Sequence, residues 1–195
     1  PKSLRMIILT IILVQVLCCH SITKITRNGI NGAMFVTDVS RLRTLAVFRS
    51  NQGEAEAPLS FAKCGLLRVL DLEACHGLNK SHLEEICELL KLLRYLSLRA
   101  STSITKVPRK IAKLQRLETL DLGKETVVKV PAEVLLLPHL KHLLGKIKLR
   151  KCDSGKNRNL DRFLSKESKL EMLSGFVAGK DGRGFPRLMC HMSRL

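Results

Sequence analysis

The amino-acid sequence predicts an α/β solenoid, a curved parallel sheet with helices and turns on its convex side, incomplete at both ends. Three observations predict it. The spacing Leu-x-x-Leu-x-Leu occurs at Leu67, Leu70, Leu72, again at Leu93, Leu96, Leu98, and again at Leu117, Leu120, Leu122. Looser copies stand at Leu42, Leu45, Val47 and at Leu140, Leu143, where Gly145 replaces the third apolar residue; the starts at 42, 67, 93, 117 and 140 are 25, 26, 24 and 23 residues apart. The text between copies repeats too, because Ile104, Val107, Pro108, Ile111, Leu114 and Leu117 recur 23 residues later as Val127, Val130, Pro131, Val134, Leu137 and Leu140.

Units of this length and consensus are leucine-rich repeats, each too small to close a core alone and stable only when neighbours cover its flanks. Side chains alternate across a strand. The second and third apolar residues of each unit therefore point inward, the residues between them point outward, and stacked units form a parallel sheet over a hydrophobic ladder.

Along the chain, residues 1–41 carry no repeat and read as an apolar leader or linker. The run at 6–19 (MIILTIILVQVLCC) follows Lys2 and Arg5, the charge order of a secretory signal. It is too short to span a bilayer comfortably, and a buried strand or mispredicted leader is the preferred reading. Residues 42–150 hold the leucine-rich repeats. Cys75 takes the Asn/Cys position of the first strong unit, where a small buried side chain closes the turn. Ser101 and Glu125 take it in the next two, so the asparagine row of many extracellular repeats is absent. Leu83, Ile86, Cys87, Leu89 and Leu90, interleaved with Glu84, Glu85 and Glu88, read as the clearest helix of the convex layer. The Val-Pro steps at 107–108 and 130–131 fix the backbone where the chain leaves the sheet, and the apolar residues after them suit a short helix or turn. Residues 151–195 read as a degenerate, truncated continuation: a polar loop at 151–159 (KCDSGKNRN), then Leu170 and Leu173 as the start of a sixth unit. The end at Leu195 brings no polar capping repeat and is expected to be a cut in mid-solenoid.

Charge and composition narrow the function. Lys and Arg total 34 against 17 Asp and Glu, a net charge of +17, which invites nucleic-acid and anionic-membrane readings. The basic residues are scattered rather than gathered into a motif. With one Tyr and no Trp, the stacking platforms of single-strand binders are missing, so neither nucleic acid nor membrane is the expected partner. Seven cysteines without a Cys-x-x-Cys pair suggest neither a disulfide framework nor a zinc site, and fit a reducing compartment. His139 and His142 are three apart and could share a helix face, but no third ligand lies near them, and no metal or other cofactor is expected. No nucleophile, acid pair or Gly-x-x-x-x-Gly-Lys-Ser/Thr loop stands out, so the chain is read as a binder, neither an enzyme nor a nucleotide-binding unit, with no small-molecule substrate.

At this point the residues resemble a known family. The run LLRYLSLRASTSITKVPRKIAKLQRLETLDLG at 92–123, then VVKVPAEVLLLPHLKHLL at 127–144, LSGFVAG at 173–179 and FPRLMCHMSRL at 185–195 resemble the repeat region of plant disease-resistance proteins. These are intracellular immune receptors of the coiled-coil, NB-ARC, leucine-rich-repeat type, and the likeness is greatest to those of grasses. The resemblance implies a cytoplasmic chain that senses pathogen effectors, or restrains the receptor's nucleotide-driven switch until they arrive. The switch has no counterpart in this sequence, and the first forty or so residues match neither it nor its usual link to the repeats.

The expected partner is a protein, either an effector or the receptor's own nucleotide-binding domain, met by the concave face of the sheet. Outward positions form columns of Thr44, Val69, Tyr95, Thr119 and His142; of Ala46, Asp71, Ser97 and Asp121; and of Phe48, Glu73, Arg99, Gly123 and Lys146. From these, Tyr95, Ser97, Arg99, Asp71, Glu73, Thr119, Asp121 and His142 are the candidate contacts, centred on an exposed Tyr95 flanked by Arg99 and Asp121. The alternative is the ectodomain of a secreted or membrane-tethered receptor, with residues 6–19 as its signal and Asn79-Lys80-Ser81 as a glycosylation site.

Overall fold

Backbone hydrogen bonding in the computed structural model follows the leucine spacing; residues 22–25, 40–47, 55–56, 61–73, 75–99, 103–150 and 168–177 are described. The apolar run at 6–19 and the polar loop at 151–159 lie outside the described residues. In chain order the strands are β1 (Ile22–Ile25), β2 (Thr44–Val47), β3 (Ala55–Glu56), β4 (Val69–Asp71), β5 (Cys75–His76), β6 (Tyr95–Ser97), β7 (Thr119–Asp121), β8 (Val128–Pro131), β9 (His142–Leu144), β10 (Ile147–Arg150) and β11 (Met172–Leu173). Among the described residues one α-helix, α1 (Lys80–Leu89), lies between β5 and β6.

Seven of these strands make one parallel sheet in the order β1-β2-β4-β6-β7-β9-β11. Its register joins Leu45 to Leu70, Leu70 to Leu96, Leu96 to Leu120, Leu120 to Leu143 and Leu143 to Leu173. The inward leucines therefore stack in one unbroken row. Leu70, Leu96, Leu120 and Leu143 are wholly buried, together with the first leucines Leu67, Leu93 and Leu117. The expected sixth unit is present in part: Leu170 is buried and β11 pairs with β9. One strand carries no Leu-x-x-Leu-x-Leu signal. β1 pairs in parallel with β2 through Ile22 and Thr44, within the stretch read as leader or linker.

Parallel neighbours require a crossover, and three of the crossovers carry a helix or helical turn among the described residues. The first is α1. Its N-cap is Asn79, whose Oδ1 accepts from the His82 N–H at 3.1 Å while His82 Nδ1 accepts the Asn79 N–H at 3.3 Å, a reciprocal pair that satisfies two donors at the helix start. The asparagine of the glycosylation motif thus serves as a helix cap. Leu83, Ile86 and Cys87 are buried, as is Leu90 beyond the helix end, but Leu89 is 39% exposed. At about 100° per residue, Leu89 falls well off the stripe that the other four share.

The next two crossovers are 3-10 turns at Arg109–Lys113 and Ala132–Leu136, each entered from a proline in extended conformation. Proline's fixed φ suits that entry, and the N–H it lacks would have no partner at a helix start. Just upstream, β8 pairs with β10, and Lys106 bridges to Lys129. The Val-Pro segments thus form a second, shorter parallel column. Ion pairs join the crossovers, with Lys110 Nζ 3.4 Å from Glu84 and 3.3 Å from Glu88, and Arg109 Nε 3.6 Å from Glu133. These exposed pairs fix spacing more than they add stability.

Cys64, Cys75 and Cys87 are unpaired and buried. Burial pushes the Cys75 thiol up to about 11 and the Cys87 thiol up to about 12, so both behave as small apolar groups. Gly145, which stands where a third apolar residue was expected, has φ 130, and a Cβ there would meet the Gly123 carbonyl oxygen at 2.6 Å. The Lys146 N–H donates to that same carbonyl at 2.9 Å. A side chain at 145 would drive the two backbones apart.

Two stability outcomes follow. Leu96→Ala, which opens a cavity in the centre of the row, should cost on the order of 2–5 kcal/mol in urea denaturation. Gly145→Ala should cost roughly 1–3 kcal/mol, since strain at a positive φ adds to the backbone clash; a denaturation midpoint equal to the parent's would count against the close approach.

Candidate functional site

The face opposite the leucine row carries two rows of side chains set by the same register. Thr44, Val69, Tyr95, Thr119 and His142 are successive partners across β2, β4, β6, β7 and β9. Ala46, Asp71, Ser97, Asp121 and Leu144 form the second row. Glu73 and Arg99 follow just past the ends of β4 and β6. All the candidate contacts therefore belong to one face, at a strand pitch of about 4.8 Å.

Their exposure differs from the expectation. Ser97 is fully buried, Thr119 and Asp121 are 7% and 6% exposed, and Tyr95, Asp71, Glu73, Arg99 and His142 are half-buried rather than open. Alternation puts a residue on the outer face but does not put it in water. At this pitch, side chains in adjacent rows shield one another, and the short ones in the middle of the sheet are covered first.

The geometry divides the candidates into two groups. In the first, Asp71 Oδ1 accepts the Glu73 N–H and Asp121 Oδ1 accepts the Gly123 N–H, each at 3.0 Å, so both aspartates close the turn that ends their own strand. Arg99 Nε lies 3.4 Å from Asp121 Oδ2. Burial raises the Asp71 carboxyl above the usual carboxylate range; the Glu73 N–H and the nearby Ser97 hydroxyl offset this in part, and the charges of Glu73 and Asp121 add to it. Burial likewise raises Asp121, against the pull of the Gly123 N–H and Arg99. Ser97 Oγ sits close enough to favour the Asp71 carboxylate, yet it makes no hydrogen bond of normal geometry. Burial, then the charges of Asp71 and Asp121, pushes the Tyr95 phenol upward, which keeps it a proton donor.

The second group centres on His142. Its Nδ1 is 3.0 Å from Thr119 Oγ1, and its Nε2 is 3.9 Å from Glu171 Oε2. Burial lowers the imidazole, with Glu171 opposing, and this favours the neutral ring at pH 7. His142 lies in β9 and His139 in an exposed turn, so the two do not share a helix face. Among the described residues no group of three or more His, Cys, Asp or Glu could hold a metal ion.

The outward columns of the sequence reading omitted one further column. Arg43, Arg68, Arg94, Glu118 and Lys141 each follow the first leucine of their unit, and each after Arg43 donates its N–H to the carbonyl of the one before at 2.7–2.8 Å. The three arginines are exposed, and Arg94 Nη1 reaches Glu118 at 3.3 Å. The recurring Leu-Arg pairs at 42–43, 67–68 and 93–94 were the available signal. The face is thus basic where the strands enter and acidic where Asp71, Glu73 and Asp121 end them.

The raised aspartates give a pH prediction. A carboxyl raised by folding holds its proton more tightly in the folded chain, so it favours folding below the ordinary carboxylate pKa, and that contribution is lost as pH rises through the raised value. Asp71→Asn keeps the acceptor for the Glu73 N–H and removes the buried charge. Its Tm should match or exceed the parent's at pH 7, with the difference shrinking toward pH 4; a Tm well below the parent's at pH 7 would contradict the desolvation account.

Comparison with known proteins agrees with this architecture. A family model described as a leucine-rich repeat region matches residues 41–195. The chain is 45% identical over 185 residues to the disease resistance protein RGA4 of rice (Oryza sativa subsp. japonica), covering 93% of this chain and 17% of that protein. It is 39% identical over 108 residues to the rice disease resistance protein Pik-2, covering 55% of this chain and 10% of that protein. The chain therefore spans under a fifth of the relatives it matches. With the family match running through every leucine unit from Leu42 onward and the parallel register joining those units, this chain belongs to the leucine-rich repeat region family.

Proposed function

We propose that this chain is the protein-binding leucine-rich-repeat module of an intracellular plant immune receptor of the coiled-coil, nucleotide-binding type, and that it acts by binding rather than by catalysis. Its repeats wind as one solenoid with the sheet on the concave side. That face engages a protein, either a pathogen effector or the receptor's own nucleotide-binding domain, whose switch it restrains. The observation that carries the reading is the register itself, which sets Tyr95, Arg99, Asp71, Asp121 and His142 on one continuous face while the leucines hold the other side closed. Half-buried aromatic and arginine side chains, held rigidly beside charged neighbours, are what protein interfaces use as anchors.

The biological setting comes from the rice relatives, which are named disease resistance proteins. In this proposal the chain is a piece of a longer receptor, and the nucleotide switch belongs to the rest of it. The cytoplasmic placement follows from the same resemblance. Separately, no helix among the described residues is long and apolar enough to cross a membrane.

Co-expression with the nucleotide-binding domain of a rice relative tests the proposal. The two should co-purify, and Tyr95→Ala or Arg99→Ala should weaken the association by roughly fivefold or more, the loss typical of an interface anchor. Lys113→Ala, on the crossover side, should leave it unchanged. Association that ignores both sheet-face substitutions would place the contact elsewhere.

A further inference from the structure

Away from the main sheet, the second column of strands presents a row of lysines. The bridge Lys106↔Lys129 and the register Lys129↔Lys148 place three of them on neighbouring segments, each directly beside the next. Backbone hydrogen bonds hold that alignment: the Lys129 N–H donates to the Thr105 carbonyl at 2.8 Å, and the Val107 N–H to the Lys129 carbonyl at 2.9 Å. Val107, Val128, Val130 and Ile147 are buried on the inner side, so alternation turns the three lysines outward, and all three are exposed. At a strand pitch of about 4.8 Å their charges repel, and like charges directly opposite one another weaken a ladder. The cations of the neighbouring turns are arranged differently. Arg109 pairs with Glu133, Lys110 with Glu84 and Glu88, and Lys113 with Glu88. Lys106, Lys129 and Lys148 have no ion pair or side-chain hydrogen bond among the described residues. A register fixed by buried valines thus lines up three unpaired charges on one exposed face.

We propose that Lys106, Lys129 and Lys148 form a docking surface for an acidic segment of a protein partner, laid across the three strands. The inference goes beyond the sheet-face reading: it concerns a different surface and stands whether or not that face binds. The occupant follows from charge complementarity, because carboxylates set in line across the strands relieve the repulsion within the row as well as pairing with it. A phosphate backbone would offer the same charge, but residues 106–107, 128–131 and 147–150 include no aromatic ring on which a base could stack. Each ammonium is a point charge on a flexible stem, so the row can follow a peptide whose carboxylates are not spaced at the strand pitch. Contacts of this kind speed and steer association, and they weaken as salt rises.

A fluorescent hexaglutamate peptide titrated into the full chain at low salt tests the proposal, with a short oligothymidylate as the phosphate counterpart. The net charge of +17 attracts any polyanion, so the comparison is between two triple variants that lose equal charge. Lys106→Gln, Lys129→Gln and Lys148→Gln together should weaken hexaglutamate binding roughly tenfold. Lys63→Gln, Arg116→Gln and Lys169→Gln together, on exposed residues ahead of β4, β7 and β11, should weaken it by no more than about twofold. Lys129→Gln alone should cost more than Lys106→Gln or Lys148→Gln, since it has a lysine on each side. Carbodiimide, which joins a carboxylate to an amine, should couple the peptide chiefly to these three lysines, as read by mass mapping. Removing like charges should leave Tm unchanged or raise it; if the triple variant melts early, the coupling map and Lys129→Gln decide the matter. Absent hexaglutamate binding, equal losses from the two triple variants, or coupling spread evenly over the chain's lysines overturns the site. Tighter binding of oligothymidylate with the same lysine dependence overturns the protein assignment in favour of nucleic acid.

Discussion

Everything in this chain depends on leucines that have no core of their own. A unit of some two dozen residues cannot enclose its apolar side chains, so Leu96 is buried only because Leu70 and Leu120 lie directly beside it on the neighbouring strands. The hydrogen bonds between parallel strands and the packing of the leucines enforce one another. Slipping one strand by a single residue would turn its leucines outward and place its polar residues in the core. That mutual requirement fixes the register, and the register fixes the rows on the opposite face. The crossovers can then differ in kind, an α-helix after β5 and 3-10 turns before β7 and β9, without altering what the sheet presents.

The legible part of the fold was the part governed by this constraint. Three clean Leu-x-x-Leu-x-Leu units and two worn ones were enough to place five strands, their direction and their alignment, because leucines at that spacing have no other way to be buried together. β1 was not legible, because its sequence, ITKI, carries no leucine and shows itself only by pairing with β2. Gly145 looked like a defect in the consensus, and is instead a place where two backbones meet, a fact about distance that spacing does not encode.

On the candidate face, sequence gave side but not depth. Alternation assigns Ser97 and Asp121 to the outer surface correctly, and they are there. Their burial depends on the size and reach of Tyr95, Arg99 and their neighbours in adjacent rows, which one-dimensional periodicity does not contain. The arginine column at the strand entries was missed for a simpler reason: an outward count that starts two residues after the first leucine skips the residue directly after it. Net charge misleads in the same way. A total of +17 describes the chain, while the middle of its sheet carries aspartates that burial has made reluctant to ionise.

The shielding within the sheet also bears on how such a face can diversify. Thr119, Ser97 and Asp121 are enclosed by their neighbours, and Asp121 is also tied to the turn that ends its strand, so exchanging them disturbs packing as well as surface. Arg43, Arg68 and Arg94 at one margin are exposed and so more open to exchange. Lys146, exposed at the other margin, is equally open to exchange. A lineage under pressure to recognise changing partners can rewrite these margins at little structural cost while its centre stays put. Variation among close kin should then gather in two bands flanking a quiet middle.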